Sequence, residues 1–357
     1  MTKVTQSTKL GGTASDVQIG TVAHGLMLMV WMPGANTDEQ CFESIKAGVD
    51  ALPPGTKMFL NAGEFYAHDL GTANLELLSR FYAKYPNYAD KTFLSVKGGI
   101  DNKMQPHGSL EFLRNSVDNV LRALGPNKKL DLYQPARIDR SIPLEELIGN
   151  LVTLQKEGKF DHIGLSELTG ATLRKAHARC TRVDVIPRPF HKIHPITAAE
   201  VEISPWSYEQ RTKDLLEASK ELGVSVLAYS PLGHGFLTGQ IKSVSELQEG
   251  DFRLRLSRTK EEYFEHNMAM VEKLSTIAKR LGVTNAQLCI SWVKHLGPNV
   301  VPLPGSSKAT RTLENLAAGD IQLSTEDFAE ITNIVENGEI KGDRYFGLPE
   351  EAMGLWT

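Results

Sequence analysis

The chain has 357 residues, 41% of them hydrophobic and 23% charged, with 39 Lys and Arg against 43 Asp and Glu. A net charge of −4 gives no general attraction for nucleic acid or another polyanion, and the apolar content suits a large folded core rather than a disordered chain. The opening Met1-Thr2-Lys3-Val4-Thr5-Gln6-Ser7-Thr8 lacks the apolar stretch of a secretory signal, no later run is long and apolar enough to span a bilayer, and Cys41, Cys180 and Cys289 form no Cys-x-x-Cys pair, so a soluble cytoplasmic protein with inert thiols and no metal site is expected.

Residues 1–15 read as a tail, and 17–29 as a short hairpin closing the amino-terminal face of the domain. From there, apolar runs rich in Val, Ile, Leu, Phe and Tyr alternate with longer amphipathic stretches. Strands are predicted at 58–62, 92–97, 130–136, 160–166, 197–204, 224–231 and 300–304, and helices at 71–85, 110–125, 143–158, 169–179, 213–223, 262–282 and 285–296. Residues 143–158 show the basis: Leu144, Leu147, Ile148, Leu151 and Leu154 recur at helical spacing, Pro143 suits the first turn and Gly158 ends it.

No Pro/Gly/Ser-rich linker interrupts the alternation, and about 250 residues of βα repeats is the usual extent of a (β/α)8 TIM barrel. A single-domain α/β barrel over 16–335, with a tail at 336–357, is therefore expected. Seven strands are clear, and the eighth is weak or lies within 240–260. The rival is a doubly wound nucleotide-binding sheet, for which Gly233-His234-Gly235 is the only candidate phosphate loop. Its third glycine, Gly239, comes one residue late and no helix opens there, so the barrel is preferred. The stretch from Cys180 to Ile193 is extra chain in an αβ connection, expected on the face away from the chemistry. The spacing of His177, His191 and His194 is not that of a metal site.

In a barrel the chemistry gathers where strands end. Tyr66 follows the strand ending at Asn61, and Lys97 ends the next one. A free phenol has a pKa of about 10 and is a poor proton donor near neutrality, whereas a neighbouring ammonium favours the phenolate. Such a pair suits carbonyl reduction, in which hydride adds to carbon while oxygen collects a proton. Other strand-end residues are Ala136-Arg137, Ser166-Glu167, Glu200-Val201-Glu202, Tyr229-Ser230 and Gly305-Ser306.

From about Ile19 to about Leu323 the chain resembles the aldo-keto reductase family. The landmarks are Asn-Ala-Gly-Glu-Phe-Tyr at 61–66, Ser-Val-Lys-Gly-Gly at 95–99, Asp-Leu-Tyr-Gln at 131–134, the glycine-bearing loop at 228–239 and Val-Pro-Leu-Pro-Gly-Ser-Ser-Lys at 301–308. The segment 20–27, Asn61 and 95–99 look most like its pyridoxal reductase branch. The resemblance implies NADPH bound without a doubly wound sheet, and a tetrad of aspartate, tyrosine, lysine and histidine. Tyr66 and Lys97 match two members, but Asn61 stands at the aspartate position and Ala136 at the histidine position. Asn61 keeps a carbonyl that accepts from the lysine, but without the carboxylate Lys97 is harder to keep protonated, and when protonated its charge acts on Tyr66 uncompensated. Ala136 donates nothing, yet leaves room for a substituted pyridine aldehyde whose ring hydroxyl polarises its own carbonyl. His68 and His24 are weaker donor candidates and read as surface or loop histidines.

The same resemblance assigns the cofactor positions. Ser166 and Glu200 face the nicotinamide carboxamide, Tyr229 stacks on the ring, and Gly25 and Leu26 also touch the cofactor. Ser230, Leu232, Gly233 and Gly235 wrap the pyrophosphate through backbone N–H groups. Ser306, Lys308 and Arg311 hold the 2′-phosphate, and Asn315 meets the adenine. The reading is an NADPH-dependent reductase of a small-molecule carbonyl, pyridoxal foremost, with Tyr66 as donor, Lys97 tuning it and Asn61 steadying Lys97. A general aldehyde reductase, a class I aldolase using Lys97 and a catalytically weak NADPH-binding subunit are the alternatives.

Overall fold

The computed structural model describes residues 3–32, 34–177 and 195–357. Its elements run β1 (Ser7–Lys9), β2 (Gln18–Gly20), β3 (His24–Gly25), α1 (Asp38–Ala51), β4 (Met58–Gly63), α2 (Ala73–Lys84), β5 (Thr92–Gly98), α3 (Leu110–Leu124), β6 (Leu132–Pro135), α4 (Leu144–Lys156), β7 (His162–Ser166), α5 (Gly170–Ala176), β8 (Ala198–Glu202), α6 (Gln210–Leu222), β9 (Ser225–Tyr229), α7 (Glu261–Leu281), α8 (Asn285–His295), β10 (Val300–Leu303), α9 (Ala309–Ala317) and α10 (Thr325–Glu336). Strands β3 to β10 form one eight-stranded sheet in sequential order, every pair parallel. Gly25 meets Gly305 in a parallel bridge, its N–H donating to the Pro304 carbonyl at 2.9 Å, and this contact closes the barrel.

The seven predicted strands are all present. The eighth is β3, only two residues long, rather than a segment of 240–260, where short 3-10 turns stand instead. Two residues carry too little alternation to read as a strand, so barrel closure rather than local sequence defines it. The hairpin is made by β1 and β2, paired from Ser7–Gly20 to Lys9–Gln18. It therefore draws in part of the expected tail and ends before residue 29. Helices α1, α9 and α10 complete the ring; Thr37 and Ser324 cap α1 and α10 by accepting from the Gln40 and Asp327 N–H groups.

Alternation along each strand sorts the lumen. Phe59, Phe93, Leu132, Ala198, Leu227, Val301 and Leu303 form its apolar layer, sealed by Leu10, Ala14 and Ile19 of the hairpin region. Two residues further toward the carboxyl ends, the same parity gives Asn61, Ser95, Gln134, Glu200 and Tyr229, and one step beyond Ser95 gives Lys97. The closed bottom is apolar and the mouth is polar. No helix among the described residues is long and apolar enough to cross a membrane.

Candidate active site

The turn after β4 carries Tyr66, whose N–H reaches back to the Gly63 carbonyl at 3.3 Å. The phenol ring folds directly over Gly63: a Cβ there would lie 2.8 Å from a ring carbon. Glu64, in the same turn, is gripped by Ser116 and, at 2.8 Å, by Asn119 of α3, while Ser116 also meets the Tyr133 hydroxyl at 2.7 Å. These bonds fix the loop from outside the barrel, and Phe65 packs edge-on against the Tyr66 ring at 5.2 Å.

Lys97 is 7% exposed and its ammonium lies 5.4 Å from the centre of the Tyr66 ring. It donates to Asn61 Oδ1 at 3.1 Å, as expected. It is also ion-paired with Glu200 Oε1, a contact between residues on strands three apart across the lumen. Glu200 Oε2 accepts from Asn61 Nδ2 and from Gln134 Nε2, each at 2.6 Å. The Glu200 carboxylate, fully buried, is thus taken up by three donors, Lys97, Asn61 and Gln134. The Lys97 charge is not uncompensated. Burial alone would pull the ammonium down, but Glu200 and Tyr66 outweigh it, and the Lys97 pKa lies above its usual value. Burial pushes the Tyr66 phenol up; Lys97 draws it back only in part and Glu200 opposes that, so the net direction is upward, reversing the expected sign.

Ala136 is buried, and its carbonyl accepts from Arg137 Nη1 at 2.6 Å. His68 is exposed, as expected. His24 is instead a buried strand residue whose Nε2 meets the Ser306 carbonyl at 2.9 Å; burial lowers its pKa to about 4, so it is neutral near pH 7 and unsuited to donate as an imidazolium.

A second buried cluster lies beside the first. Arg344 donates to Glu202 Oε2 at 3.0 Å, to Glu167 Oε1 at 3.2 Å and to the Tyr229 hydroxyl at 2.9 Å, while Tyr229 also bonds Glu167 at 2.6 Å and Tyr345 at 3.0 Å. Burial raises both carboxylates, but Arg344 together with Arg137 and Tyr229 at Glu167, and together with His234, Arg258 and Ser207 at Glu202, outweighs it and holds both below the usual range. Residues 341–357 fold across the mouth, with Thr357 N–H donating to the Glu167 carbonyl and Arg137 Nε to the Met353 carbonyl. Gln134 and Arg344 were absent from the sequence-derived site, and Glu202 stood there only as a strand-end residue with no role. Strand parity would have found Gln134 and the inward setting of Glu200, but nothing local marks Arg344.

At the expected cofactor positions, Ser166 Oγ donates to the Glu200 carbonyl at 3.1 Å, and the Tyr229 ring faces Lys97 at 5.8 Å. Ser230, Gly233, His234 and Gly235 all have positive φ, but the Gly233 and Gly235 N–H groups close turns onto the Ser230 and Leu232 carbonyls, so donation from these two requires that loop to rearrange. Gly25 belongs to the barrel seam, and the Leu26 side chain is in the core. At the start of α9, Lys308 and Arg311 are exposed and, among the described residues, in no ion pair, beside buried Ser306 and an Asn315 whose Oδ1 has no partner. Two unengaged cations at a helix start fit a phosphate dianion. The 180–193 stretch, with His191, falls outside the described residues, as does His194.

A parallel barrel with a tyrosine ring beside a buried lysine ammonium at its mouth is an arrangement suited to carbonyl oxidoreduction. The aldo/keto reductase family model matches residues 21–336, and the chain belongs to that family, whose members use nicotinamide cofactors. Over 344 residues it is 33% identical to a Schizosaccharomyces pombe protein named "Probable pyridoxal reductase 2", covering 95% of this chain and 98% of that one. It is 32% identical over 342 residues to a Saccharomyces cerevisiae protein named "Putative pyridoxal reductase", covering 90% and 94%. Among solved structures, a thermostable aldo-keto reductase in complex with the inhibitor epalrestat superimposes with a TM-score of 0.64 at 22% identity, covering 93% of this chain and 99% of that one, and shares the fold.

Proposed function

We propose that this oxidoreductase reduces an aldehyde to its alcohol with NADPH, and that pyridoxal is the substrate. The observation that carries the reading is the Tyr66 phenol held over Gly63 against the buried Lys97 ammonium. The names of the two yeast relatives support the substrate, and Lys308 and Arg311, in no ion pair among the described residues, support the 2′-phosphate of NADPH.

NADPH, which Ser306, Lys308, Arg311 and Asn315 would hold at its adenosine end, would supply the hydride for the carbonyl carbon. Tyr66 transfers its hydroxyl proton to the carbonyl oxygen, and the Lys97 ammonium stabilises the phenolate left behind until solvent returns a proton. Because burial keeps Tyr66 protonated, the group starts each turnover as the acid a reduction requires. Asn61 holds Lys97 in place at 3.1 Å. Ala136 leaves room beside the reacting carbonyl, and the hydroxyl next to the aldehyde of pyridoxal polarises it from within the substrate.

The test is NADPH oxidation, followed as absorbance loss, by purified protein with pyridoxal, its analogue lacking the ring hydroxyl, and simple aldehydes. Pyridoxal is expected to be turned over fastest. Equal turnover of the analogue would remove the self-polarisation argument, and faster turnover of simple aldehydes would make the protein a general aldehyde reductase.

A further inference from the structure

We propose that Glu200 is the positioning residue that fixes the charge of Lys97, so that the negative charge serving the tyrosine-lysine pair comes from across the barrel rather than from the strand beside Lys97. This rests on the reading that Lys97 tunes Tyr66. Around Lys97 stand Asn61 on β4, Tyr66 on the turn after it, Glu200 on β8 and the Tyr229 ring on β9, with Gln134 on β6 bonded to Glu200. Of these Glu200 alone is a carboxylate. Glu167, Glu202 and Arg344 are engaged with one another, and Arg137 acts on Tyr66 from the Ala136 side.

The arrangement also explains why position 61 is an amide. Asn61 presents its carbonyl to Lys97 and its NH2 to Glu200, so both ends of one side chain are satisfied. An aspartate there would place a second carboxylate against Glu200 with one ammonium between them, and like charges in a buried site cannot both ionise cheaply. Asn61 and Glu200 thus divide the work: the carboxylate balances Lys97 and the amide bridges the pair. A balanced Lys97 remains an ammonium while Tyr66 passes from phenol to phenolate, whereas an unbalanced one is driven toward the neutral amine by burial.

The exchange suggests its own test: Glu200→Gln, Asn61→Asp and the double variant, which returns one carboxylate and one amide with their places exchanged. Lys97 is read in the absence of cofactor from 13Cε-lysine NMR titration, its resonance assigned with Lys97→Met. In the wild-type protein Lys97 stays protonated through pH 10; a neutral Lys97 at pH 8 would overturn the proposal without any variant. In Glu200→Gln its titration moves down by a unit or more, and the alkaline limb of kcat/KM moves with it, lowering activity roughly tenfold per unit at high pH. The double variant brings both back toward wild type, while Asn61→Asp alone lowers activity. An unchanged Lys97 titration in Glu200→Gln, or a double variant as impaired as the sum of the singles with weakened NADPH binding, would make Glu200 a structural or cofactor contact instead. Because the NMR readout needs no turnover, loss of the pyridoxal reading would leave this result intact, and the reverse also holds.

Discussion

Adding one methyl group at Gly63 probes the setting of Tyr66 without touching its chemistry. The Cβ of an alanine there would stand 2.8, 2.9 and 3.0 Å from three ring atoms of Tyr66, where ordinary carbon contacts lie at about 3.5–4.0 Å. The ring must therefore retreat by roughly 0.5–1 Å, and the hydroxyl at its far end with it. Gly63 does not have positive φ, so alanine is not strained by the backbone and the effect comes from the clash alone. A displacement of about 1 Å costs on the order of 100-fold in rate, or about 2.7 kcal/mol of transition-state stabilisation. Overpacking costs a further 1–3 kcal/mol of stability, roughly. Steady-state kinetics with pyridoxal should show the loss in kcat, while NADPH affinity by fluorescence titration is unchanged because the added methyl group meets the Tyr66 ring and not Lys308 or Arg311. A folded Gly63→Ala enzyme with kcat within about threefold of wild type, small beside the expected loss, would refute the placement of Tyr66.

At the clamp, Lys308→Ala and Arg311→Ala should each weaken NADPH by roughly 10- to 100-fold, the equivalent of a lost charge-assisted bond of about 1.5–3 kcal/mol. NADH binding should barely move; calorimetry giving equal losses for both cofactors would contradict a 2′-phosphate site. Arg344→Met strands two buried carboxylates and should destabilise the fold by about 3–5 kcal/mol, seen as a lower melting temperature at pH 7. Glu167 and Glu202 bind protons less readily folded than unfolded, so their contribution is present above the ordinary carboxylate range and disappears as pH falls through their lowered values. Melting scans at decreasing pH should therefore bring wild type and Arg344→Met together in acid, and parallel curves would rule the ion cluster out as the cause.

The barrel was legible because seven of its strands repeat the same apolar run before a helix, and Tyr66 and Lys97 were legible because each stands where such a run ends. The eighth strand was not, since two residues such as His24–Gly25 hold no pattern and pair only because the barrel closes on them. Helix α1 escapes the periodicity reading although Thr37, Asp38 and Glu39 mark its start. The harder failure concerns charge. Asn61 at an expected aspartate looked like a lost anion, because sequence order says nothing of what lies opposite in a closed lumen. Only the geometry brings Glu200 to Lys97 across three strand intervals, and only the return of the chain at 341–357 brings Arg344 to Glu167 and Glu202.

The central claim is that the Tyr66 hydroxyl protonates the substrate oxygen. Tyr66→Phe removes that oxygen while keeping the ring over Gly63, and its turnover of pyridoxal with NADPH, measured alongside cofactor binding, decides the matter. The account predicts a fall in kcat of roughly 10²- to 10⁴-fold with NADPH affinity preserved. Turnover equal to wild type would contradict it.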